Sequence, residues 1–274
     1  MTSTAPKSRT QALIEALLTA RAQRTQLRVA DWAGAAPTAA EIEAIQRGVA
    51  AALGGPSQGQ PKYWKAGGAT RDDASITESP LPANTVLTAP VVQPGSAEPG
   101  VDARSLWLPQ GGVEAEIALR LGRDIDQSDA AALRPGQAWG LVDAMCISIE
   151  LTASRWDQGS AAPKTLRDAD LQTHGALLLG PWLPAEPQRD WSRQVCDIRI
   201  NAGVKTELRC IGSHSLVDPG WLLPAWLRHL TREGQTVAAG TVVTTGSWVG
   251  NLPLAAGDHA EVVFDGLGRL AVQA

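Results

Sequence analysis

The spacing of apolar residues divides the chain into a short helical start and a longer strand-rich body. Between residues 13 and 18, leucine and isoleucine recur on one stripe of a 3.6-residue period, which predicts a first helix. Thr38 and Glu41 form a capping-box pattern ahead of a second apolar stripe, because each side chain can satisfy a free backbone N–H of the other. This pattern predicts a second helix that ends at Gly54-Gly55-Pro56.

From about residue 60, short apolar runs alternate with Gly, Pro, Asp and Asn, as is typical of many short strands. One more helix is predicted over 222–234, closed by Gly234, and residues 92–103 read as a loop. The pattern predicts an α+β fold, with a helical segment over 1–60 packed on a β-rich domain over 61–274 as one structural unit. The predicted strands are 63–67, 86–92, 113–121, 145–152, 174–180, 195–201, 204–210, 241–248 and 259–264.

Composition limits the classes of partner. The 274 residues carry a net charge of −4, which argues against a nucleic acid or an anionic membrane surface as partner, since both require clustered Lys or Arg. No stretch approaches the roughly 20 apolar residues of a membrane span. The three cysteines form no CxxC pair, which fits a reducing compartment, and we expect the protein in the cytoplasm.

Two glutamates stand one residue apart in the segment VEAEIALRLGRDI, residues 113–125. On a helix, Glu114 and Glu116 would diverge by about 200°. On a strand they share one face, because side chains alternate with a period of two, and the apolar residues line the other face. The β-branched residues and the preceding glycines favour the strand. Two carboxylates on one face repel each other unless they are solvated, protonated or bridged by a cation.

A third glutamate extends this pattern. In MCISIELTASRW, residues 145–156, apolar and polar positions alternate again, and Glu150 is the one charge in the middle of the polar face. Three carboxylates from two strands are a suitable ligand set for a hard divalent cation such as Mg²⁺, which keeps water at its remaining positions. From spacing alone, a metal site and a solvated strand face both stay open.

These segments resemble the fumarylacetoacetate hydrolase superfamily, and within it the branch of 2-keto-4-pentenoate hydratases and 4-oxalocrotonate decarboxylases. The resemblance continues through ADLQTHGALLLG at 169–180, the segment 221–248 with its TTGSW sequence, and AAGDHAEVVFDGLG at 255–268. It implies a mixed β-sandwich roll of the fumarylacetoacetate hydrolase C-terminal type with N-terminal helices packed on it. It also implies a homo-oligomer and a small-molecule 2-keto acid substrate.

The same resemblance implies a set of site residues. Mg²⁺ or Mn²⁺ would be held by Glu114, Glu116 and Glu150, which agrees with the reading of the strands. Lys65, in KYWKAGG, corresponds to a family lysine that can hold an enolate or position a water. Desolvation beside a dication would lower the pKa of this lysine. An isolated lysine is otherwise most often a solvated surface charge.

Further residues of the segments have weaker assignments. Asp170 is expected to orient groups around the site, and Thr173 lies where small polar residues of the family contact substrate. Ser247 falls on a family loop near the substrate, although a simple turn explains it as well. Arg155 could pair with Asp157, cap a loop or meet a second substrate carboxylate. His174 is the last residue of this set. We expect it either beside the metal ligands or in a structural role, with its ring nitrogens hydrogen-bonded.

The chain also departs from the family pattern. Leu171 follows Asp170 where the family has asparagine, and the segment 66–105 offers no clear counterpart of the acidic residue that shuttles a proton. The four histidines lack the spacing of a zinc site, and no G-x-S-x-G, G-x-G-x-x-G or P-loop sequence is present.

The resemblance implies a metal-dependent hydratase that converts 2-oxopent-4-enoate to 4-hydroxy-2-oxopentanoate in the breakdown of aromatic compounds. One alternative is a decarboxylase of a 4-oxalocrotonate-like 2-keto dicarboxylate, for which Arg155 or Arg120 would supply the extra cation. Others are a C–C hydrolase of the same superfamily and a catalytically silent homologue that serves as a partner subunit.

Overall fold

The computed structural model describes residues 8–32, 34, 36–54, 60–72, 75–89, 101–134, 136–201 and 205–274. Within these ranges the helices are α1 Arg9–Gln23, α2 Ala39–Ala52, α3 Gln127–Ala132, α4 Lys164–Ala169 and α5 Leu223–Thr231. The first seven strands are β1 Tyr63–Gly67, β2 Thr77–Leu81, β3 Val86–Thr88, β4 Val101–Asp102, β5 Gly112–Leu121, β6 Val142–Thr152 and β7 His174–Leu179. The others are β8 Leu183–Pro184, β9 Val195–Asn201, β10 Thr206–Ile211, β11 Val242–Thr244, β12 Leu252–Pro253, β13 His259–Phe264 and β14 Gly268–Gln273.

The two N-terminal helices begin at side-chain caps. Ser8 accepts the backbone N–H of Gln11 at the start of α1. At the start of α2, Thr38 accepts the N–H of Glu41, whose carboxylate accepts the N–H of Thr38 in return. The capping box predicted from the sequence is therefore confirmed. Both caps satisfy backbone donors that have no partner inside a helix.

A large mixed sheet forms the centre of the molecule. In the described part of the chain it has nine strands, seven of them in the order β2-β1-β11-β5-β6-β7-β3, with β12 and β8 added beside β5 and β6. Strands β5 and β6 are the longest and pair antiparallel, whereas β1 pairs parallel with β11. The central strands are buried on both faces, so the polar residues on β5 and β6 lie inside the protein.

A second sheet of five strands, counted over the described ranges, has the order β10-β9-β13-β14-β4. Strands β9 and β13 alternate buried residues with partly or fully exposed ones, as expected for a sheet with one face on the core and one towards water. Phe264 and Ile198 from its inner face join the apolar cluster that also contains Ile117 and Ile149 of the large sheet. The two sheets thus enclose a common core.

Helices α1 and α2 pack on each other and on the chain that follows β6. Leu17 of α1 and Val49 of α2 are fully buried in a second apolar cluster with Trp156 and Leu166. This cluster packs against the segment that follows β6 and so connects the N-terminal helices with the end of a central strand. The α+β fold predicted from the sequence is confirmed, whereas the division into 1–60 and 61–274 stays a prediction.

Several predicted elements need correction. The strand predicted over 241–248 covers only 242–244, because the chain leaves the sheet at Thr245, whose hydroxyl donates to the carbonyl of Ile117. The predicted loop 92–103 lies mostly outside the described residues, but Val101–Asp102 is a strand paired with β14. Among the described residues, no helix is long and apolar enough to cross a membrane.

Candidate metal centre

Three carboxylates converge on one face of the two central strands. Glu114 on β5 lies directly opposite Glu150 on β6, and Glu116 follows two residues along the same face. Each offers an oxygen within 4.8 Å of those of the other two. Glu116 is 2% exposed and Glu150 fully buried. The solvated strand face considered from the sequence is therefore wrong for these two residues.

Glu116 is fixed by the segment that leaves the sheet after β11. The hydroxyl of Thr244 and the backbone N–H of Gly246 both donate to Glu116 Oε2, the latter at 3.0 Å. Gly246 has a φ of +106°, a conformation that glycine adopts without a steric penalty. The early end of β11 therefore lets a backbone donor reach a buried carboxylate.

Glu150 has one engaged oxygen and one free oxygen. Its Oε1 accepts a hydrogen bond from Lys65 Nζ at 2.6 Å and lies 3.1 Å from Nδ1 of His174. Its Oε2 is buried and has no hydrogen-bond partner among the described residues. A buried carboxylate oxygen without a partner carries an energetic cost, which a bound cation would remove.

The electrostatics of the cluster are unbalanced. Burial raises the pKa of Glu114 to about 7, against the opposing charge of Lys65. Burial, together with the charges of Glu150 and Glu114, raises the pKa of Glu116 to about 8. Burial alone would also raise the pKa of Glu150, but Lys65 and the hydrogen bond to His174 keep it below its ordinary value. One ammonium group does not neutralise three carboxylates.

Lys65 is held in its charged form. It projects from β1 with 13% of its side chain exposed, and its Nζ also donates to the carbonyl of Gln172 at 3.4 Å. Burial opposes its charge, but the three carboxylates together raise its pKa. Lys65 is thus the counter-ion of the cluster, and the surface lysine considered from the sequence is wrong. In the protein without metal, the pKa shift is opposite to the lowering expected beside a dication.

His174 lies behind Glu150. A bulge between β6 and β7 places Thr152 opposite His174 and leaves Gly175 unpaired, which re-aims the imidazole. Its Nδ1 faces Glu150, and its Nε2 lies 2.9 Å from the hydroxyl of Thr85. Burial lowers the pKa of His174. The neutral ring therefore orients Glu150 from behind, one of the two roles considered from the sequence.

A second buried ionic group lies next to the first. Asp170 is fully buried and accepts from Arg155 Nε at 2.8 and 2.9 Å and from Arg21 of α1 at 2.8 Å. Arg155 also donates to the carbonyl of His174 at 2.9 Å and is 1% exposed. Arg155 therefore pairs with Asp170 rather than with Asp157, and neither Arg155 nor Asp170 contacts the three glutamates.

The residues after Asp170 have an unusual backbone. Leu171, Gln172 and Thr173 have φ values of 51°, 54° and 61°, a left-handed conformation that is costly for residues other than glycine. The turn is held at one end by Asp170, whose carbonyl accepts the N–H of Thr173. In the middle, the side-chain amide of Gln172 donates to the carbonyl of Glu78 at 2.7 Å. The turn fixes the carbonyl that contacts Lys65.

Two predicted substrate contacts are engaged in local hydrogen bonds. Ser247 Oγ donates to the carbonyl of Gly250 at 2.9 Å and accepts the N–H of Val249 at 3.3 Å, as in a closed turn. Thr173 Oγ1 donates to the carbonyl of Gln172, the same oxygen that accepts from Lys65. A role for Ser247 or Thr173 in substrate binding stays a prediction.

Sequence reasoning missed the residues that support the carboxylates. The residues that contact Glu116, His174 or Lys65 come from three separate segments of the chain: Thr244 with Gly246, Thr85, and Gln172. The one available signal was polar Thr244-Thr245-Gly246 directly after an apolar run. The others depend on contacts between residues far apart in the chain, which periodicity does not report.

Comparison with known structures identifies the fold. The chain is similar to 4-oxalocrotonate decarboxylase from Pseudomonas putida G7 complexed with magnesium and adipate, at 18% identity and a TM-score of 0.73 over 99% of both chains. It is also similar to fumarylpyruvate hydrolase from Pseudomonas aeruginosa in complex with Mn²⁺ and pyruvate, at 16% identity, a TM-score of 0.54 and coverage of 80% and 93%. Among curated protein sequences, none matches this chain.

A comparison with protein families is consistent with these likenesses. The family model described as fumarylacetoacetate (FAA) hydrolase C-terminal matches residues 67–273. The match includes both strands that carry the glutamates and begins two residues after Lys65. The resemblance noted in the sequence is confirmed at the level of the superfamily. The chain belongs to the fumarylacetoacetate hydrolase family.

Proposed function

We propose that the protein is a divalent-metal-dependent lyase that hydrates a 2-keto-4-pentenoate-type substrate, converting 2-oxopent-4-enoate to 4-hydroxy-2-oxopentanoate in the breakdown of aromatic compounds. The observation that carries the proposal is the free, buried Oε2 of Glu150 between two further carboxylates and beside Lys65. The structures of related fold that hold Mg²⁺ or Mn²⁺ support the metal.

The donor set fits such an ion. Glu114, Glu116 and Glu150 would hold Mg²⁺ or Mn²⁺ through carboxylate oxygens, the ligands that hard cations prefer. When bound, the cation supplies a Lewis acid that polarises the keto oxygen of a chelating 2-keto acid. With three protein ligands, coordination positions remain for that substrate and for water.

Lys65 has the geometry to act on the substrate. Two of its N–H groups are directed to Glu150 and to the carbonyl of Gln172, and no other acceptor takes the third within the described ranges. That N–H is free to donate to the oxygen on which negative charge develops when a proton leaves C3, or to orient a water. His174 and the turn 171–173 keep Glu150 and Lys65 in place. We therefore propose Lys65 as catalytic and Asp170 as a positioning residue.

One observation favours hydration over decarboxylation of a dicarboxylate. The two arginines that could clamp a second substrate carboxylate are engaged elsewhere. Arg155 is paired with Asp170, and Arg120, at the far end of β5, binds Asp143 at 2.9 Å and stacks on Trp182. Decarboxylation is the second candidate because the full-length likeness is to a decarboxylase. Hydrolysis of a C–C bond is the third, given the hydrolase of related fold.

The test is product analysis by NMR with purified protein and Mg²⁺ or Mn²⁺. With 2-oxopent-4-enoate we expect 4-hydroxy-2-oxopentanoate, and with a 4-oxalocrotonate-like dicarboxylate we expect little CO₂. Release of CO₂ without a hydroxyketoacid would refute the hydratase assignment. A Lys65→Met variant should bind metal but lose turnover. If neither ion raises the melting temperature and no substrate reacts, the protein is a silent homologue that acts as a partner subunit.

A further inference from the structure

Strand β10 combines exposed large apolar side chains with an edge position in its sheet. Of the large apolar side chains in the described ranges, only Leu208, at 37%, and Ile211, at 62%, are exposed, and both lie on β10. This strand ends the order of the five-stranded sheet, and no described strand pairs with its other side. Free, apolar strand edges tend to pair with further strands.

The backbone groups available at this edge can be identified. Gly212 N–H donates to the carbonyl of Gln194 at 2.9 Å, in the same register that pairs β10 with β9. Because antiparallel ladders alternate, the N–H and C=O groups of Glu207, Arg209 and Ile211 point away from β9. Within the described ranges, the backbone donors and acceptors of these three residues along the edge have no partner.

The side chains along the edge select a partner. On the solvent face, Glu261 of β13, Arg199 of β9 and Glu207 of β10 form a row of alternating charge, with spacings of 4.0 and 3.9 Å. Arg209 forms the neighbouring pair with Asp197 at 3.2 Å. Each row would be continued by the opposite charge on the next strand, and β10 itself carries both signs.

We propose that β10 pairs antiparallel with β10 of a second copy across a two-fold axis at Leu208, which joins the two five-stranded sheets into one. In this register Glu207 lies opposite Arg209 of the partner subunit, and the reverse pair forms on the other side of the axis. Leu208 meets its own symmetry mate on the inner face. Both charge rows are thereby extended with alternating sign.

Neighbouring registers fit less well. Directly opposed residues in an antiparallel pair have side chains on the same face of the sheet. A two-fold axis perpendicular to the sheet must therefore pass between one residue and the same residue of the second copy. An axis at Glu207 would oppose two glutamates, and one at Arg209 would oppose two arginines, which is destabilising. The pairing through Leu208 therefore has the best charge complementarity of the three. Such an edge is a small interface, so we expect a dissociation constant on the order of micromolar.

The first experiment is sedimentation of the full chain over a range of concentrations. We expect a reversible dimer, and Glu207→Arg should weaken it about tenfold, since two like-charged pairs replace two attractive ones. Glu207→Arg/Arg209→Glu should restore it. Glu186→Arg is the matched control, because it changes the net charge equally and also breaks an ion pair with an arginine, but lies outside β10. Circular dichroism and melting temperature establish that each variant is folded.

The second experiment tests the register by oxidation and non-reducing electrophoresis. Leu208→Cys should cross-link to its symmetry mate, and Thr206→Cys should cross-link to the partner's Cys210, whereas the wild-type chain, which already contains Cys210, should not. A monomer at all concentrations, or a dimer unaffected by Glu207→Arg, would overturn the proposal. So would a monomer whose β10 edge binds an added strand-forming peptide. None of these outcomes depends on the reaction proposed for the metal centre.

Discussion

Two buried ionic groups lie within a few residues of each other and are built in opposite ways. The glutamate cluster has three carboxylates and one lysine, and one of its buried oxygens has no partner in the part of the chain that the structure describes. The group around Asp170 has two guanidinium groups and one carboxylate, and both oxygens of that carboxylate accept several hydrogen bonds. The first is incomplete without a cation, whereas the second is complete and holds the chain in place. This difference in charge balance and hydrogen bonding distinguishes the glutamate cluster, as a candidate binding site, from the Asp170 group, which supports the structure beside it.

The largest expected effect lies in the supporting group. Asp170→Asn leaves two buried guanidinium groups without a counter-ion and should lower the free energy of unfolding by about 3–5 kcal/mol. Urea unfolding measures this loss. The matched control is Asp143→Asn, which breaks an exposed pair with Arg120 and should cost less than about 1 kcal/mol. If both variants lost the same free energy of unfolding, the Asp170 group would have no special role in holding the structure together.

The next effect is on metal binding. Wild-type protein with Mn²⁺ at about 100 times its dissociation constant should gain roughly 2.7 kcal/mol of stability. Glu150→Gln should abolish this gain, because an amide replaces the carboxylate that carries the free oxygen. Differential scanning calorimetry with and without Mn²⁺ gives the comparison, and exposed Glu186→Gln should retain the full gain. If Mn²⁺ stabilised the Glu150→Gln variant as much as the wild type, the glutamate cluster would not be the metal site.

The pH dependence of stability is expected to show a smaller effect of the same cluster. In the folded protein the pKa values of Glu114 and Glu116 are raised to about 7 and about 8, so the native state binds more protons than the unfolded chain above pH 4.5. The metal-free protein should therefore lose stability as pH rises from about 4.5 to 8, while affinity for Mn²⁺ rises. Melting curves and calorimetric titration at several pH values measure both trends. Glu116→Gln should flatten them, and stability that rises over this range would contradict the prediction.

The smallest effect is expected at Ser247. Its hydroxyl bonds within its own turn, so Ser247→Ala should cost about 1 kcal/mol or less and leave kcat/KM nearly unchanged. Steady-state kinetics with 2-oxopent-4-enoate would measure this. A large rise in KM at unchanged stability would instead show that Ser247 contacts substrate, as the family resemblance implies.

Local patterns were sufficient to predict much of the fold. The capping box at Thr38 and the strands 195–201 and 259–264 have the predicted bounds, because their signals lie within a few residues of each other. The shared face of Glu114 and Glu116 follows from the period of a strand. Glu150 joins this face because the register of β5 against β6 places it opposite Glu114, and the pattern within either strand does not fix that register.

Contacts between distant segments could not be predicted in the same way. Asp170 binds Arg21 across 149 positions of the chain, and Lys65 reaches Glu150 across 85. The early end of β11 at Thr244 depends on a glutamate of another strand that needs a backbone donor. Such requirements arise only after the sheet has assembled, so periodicity over 241–248 predicts a strand that is too long.

The link between Arg21 and Asp170 has a practical consequence for dissecting the protein. The family match begins at residue 67, which excludes both Lys65 and helix α1 with Arg21. A truncated version starting there would keep all three glutamates but lose Lys65, the one ammonium group beside them among the described residues, and one of the two cations on Asp170. The residues that identify the family and the residues that complete the two ionic groups therefore cover different ranges of the chain, and expression of residues 67–274 alone should give a defective protein.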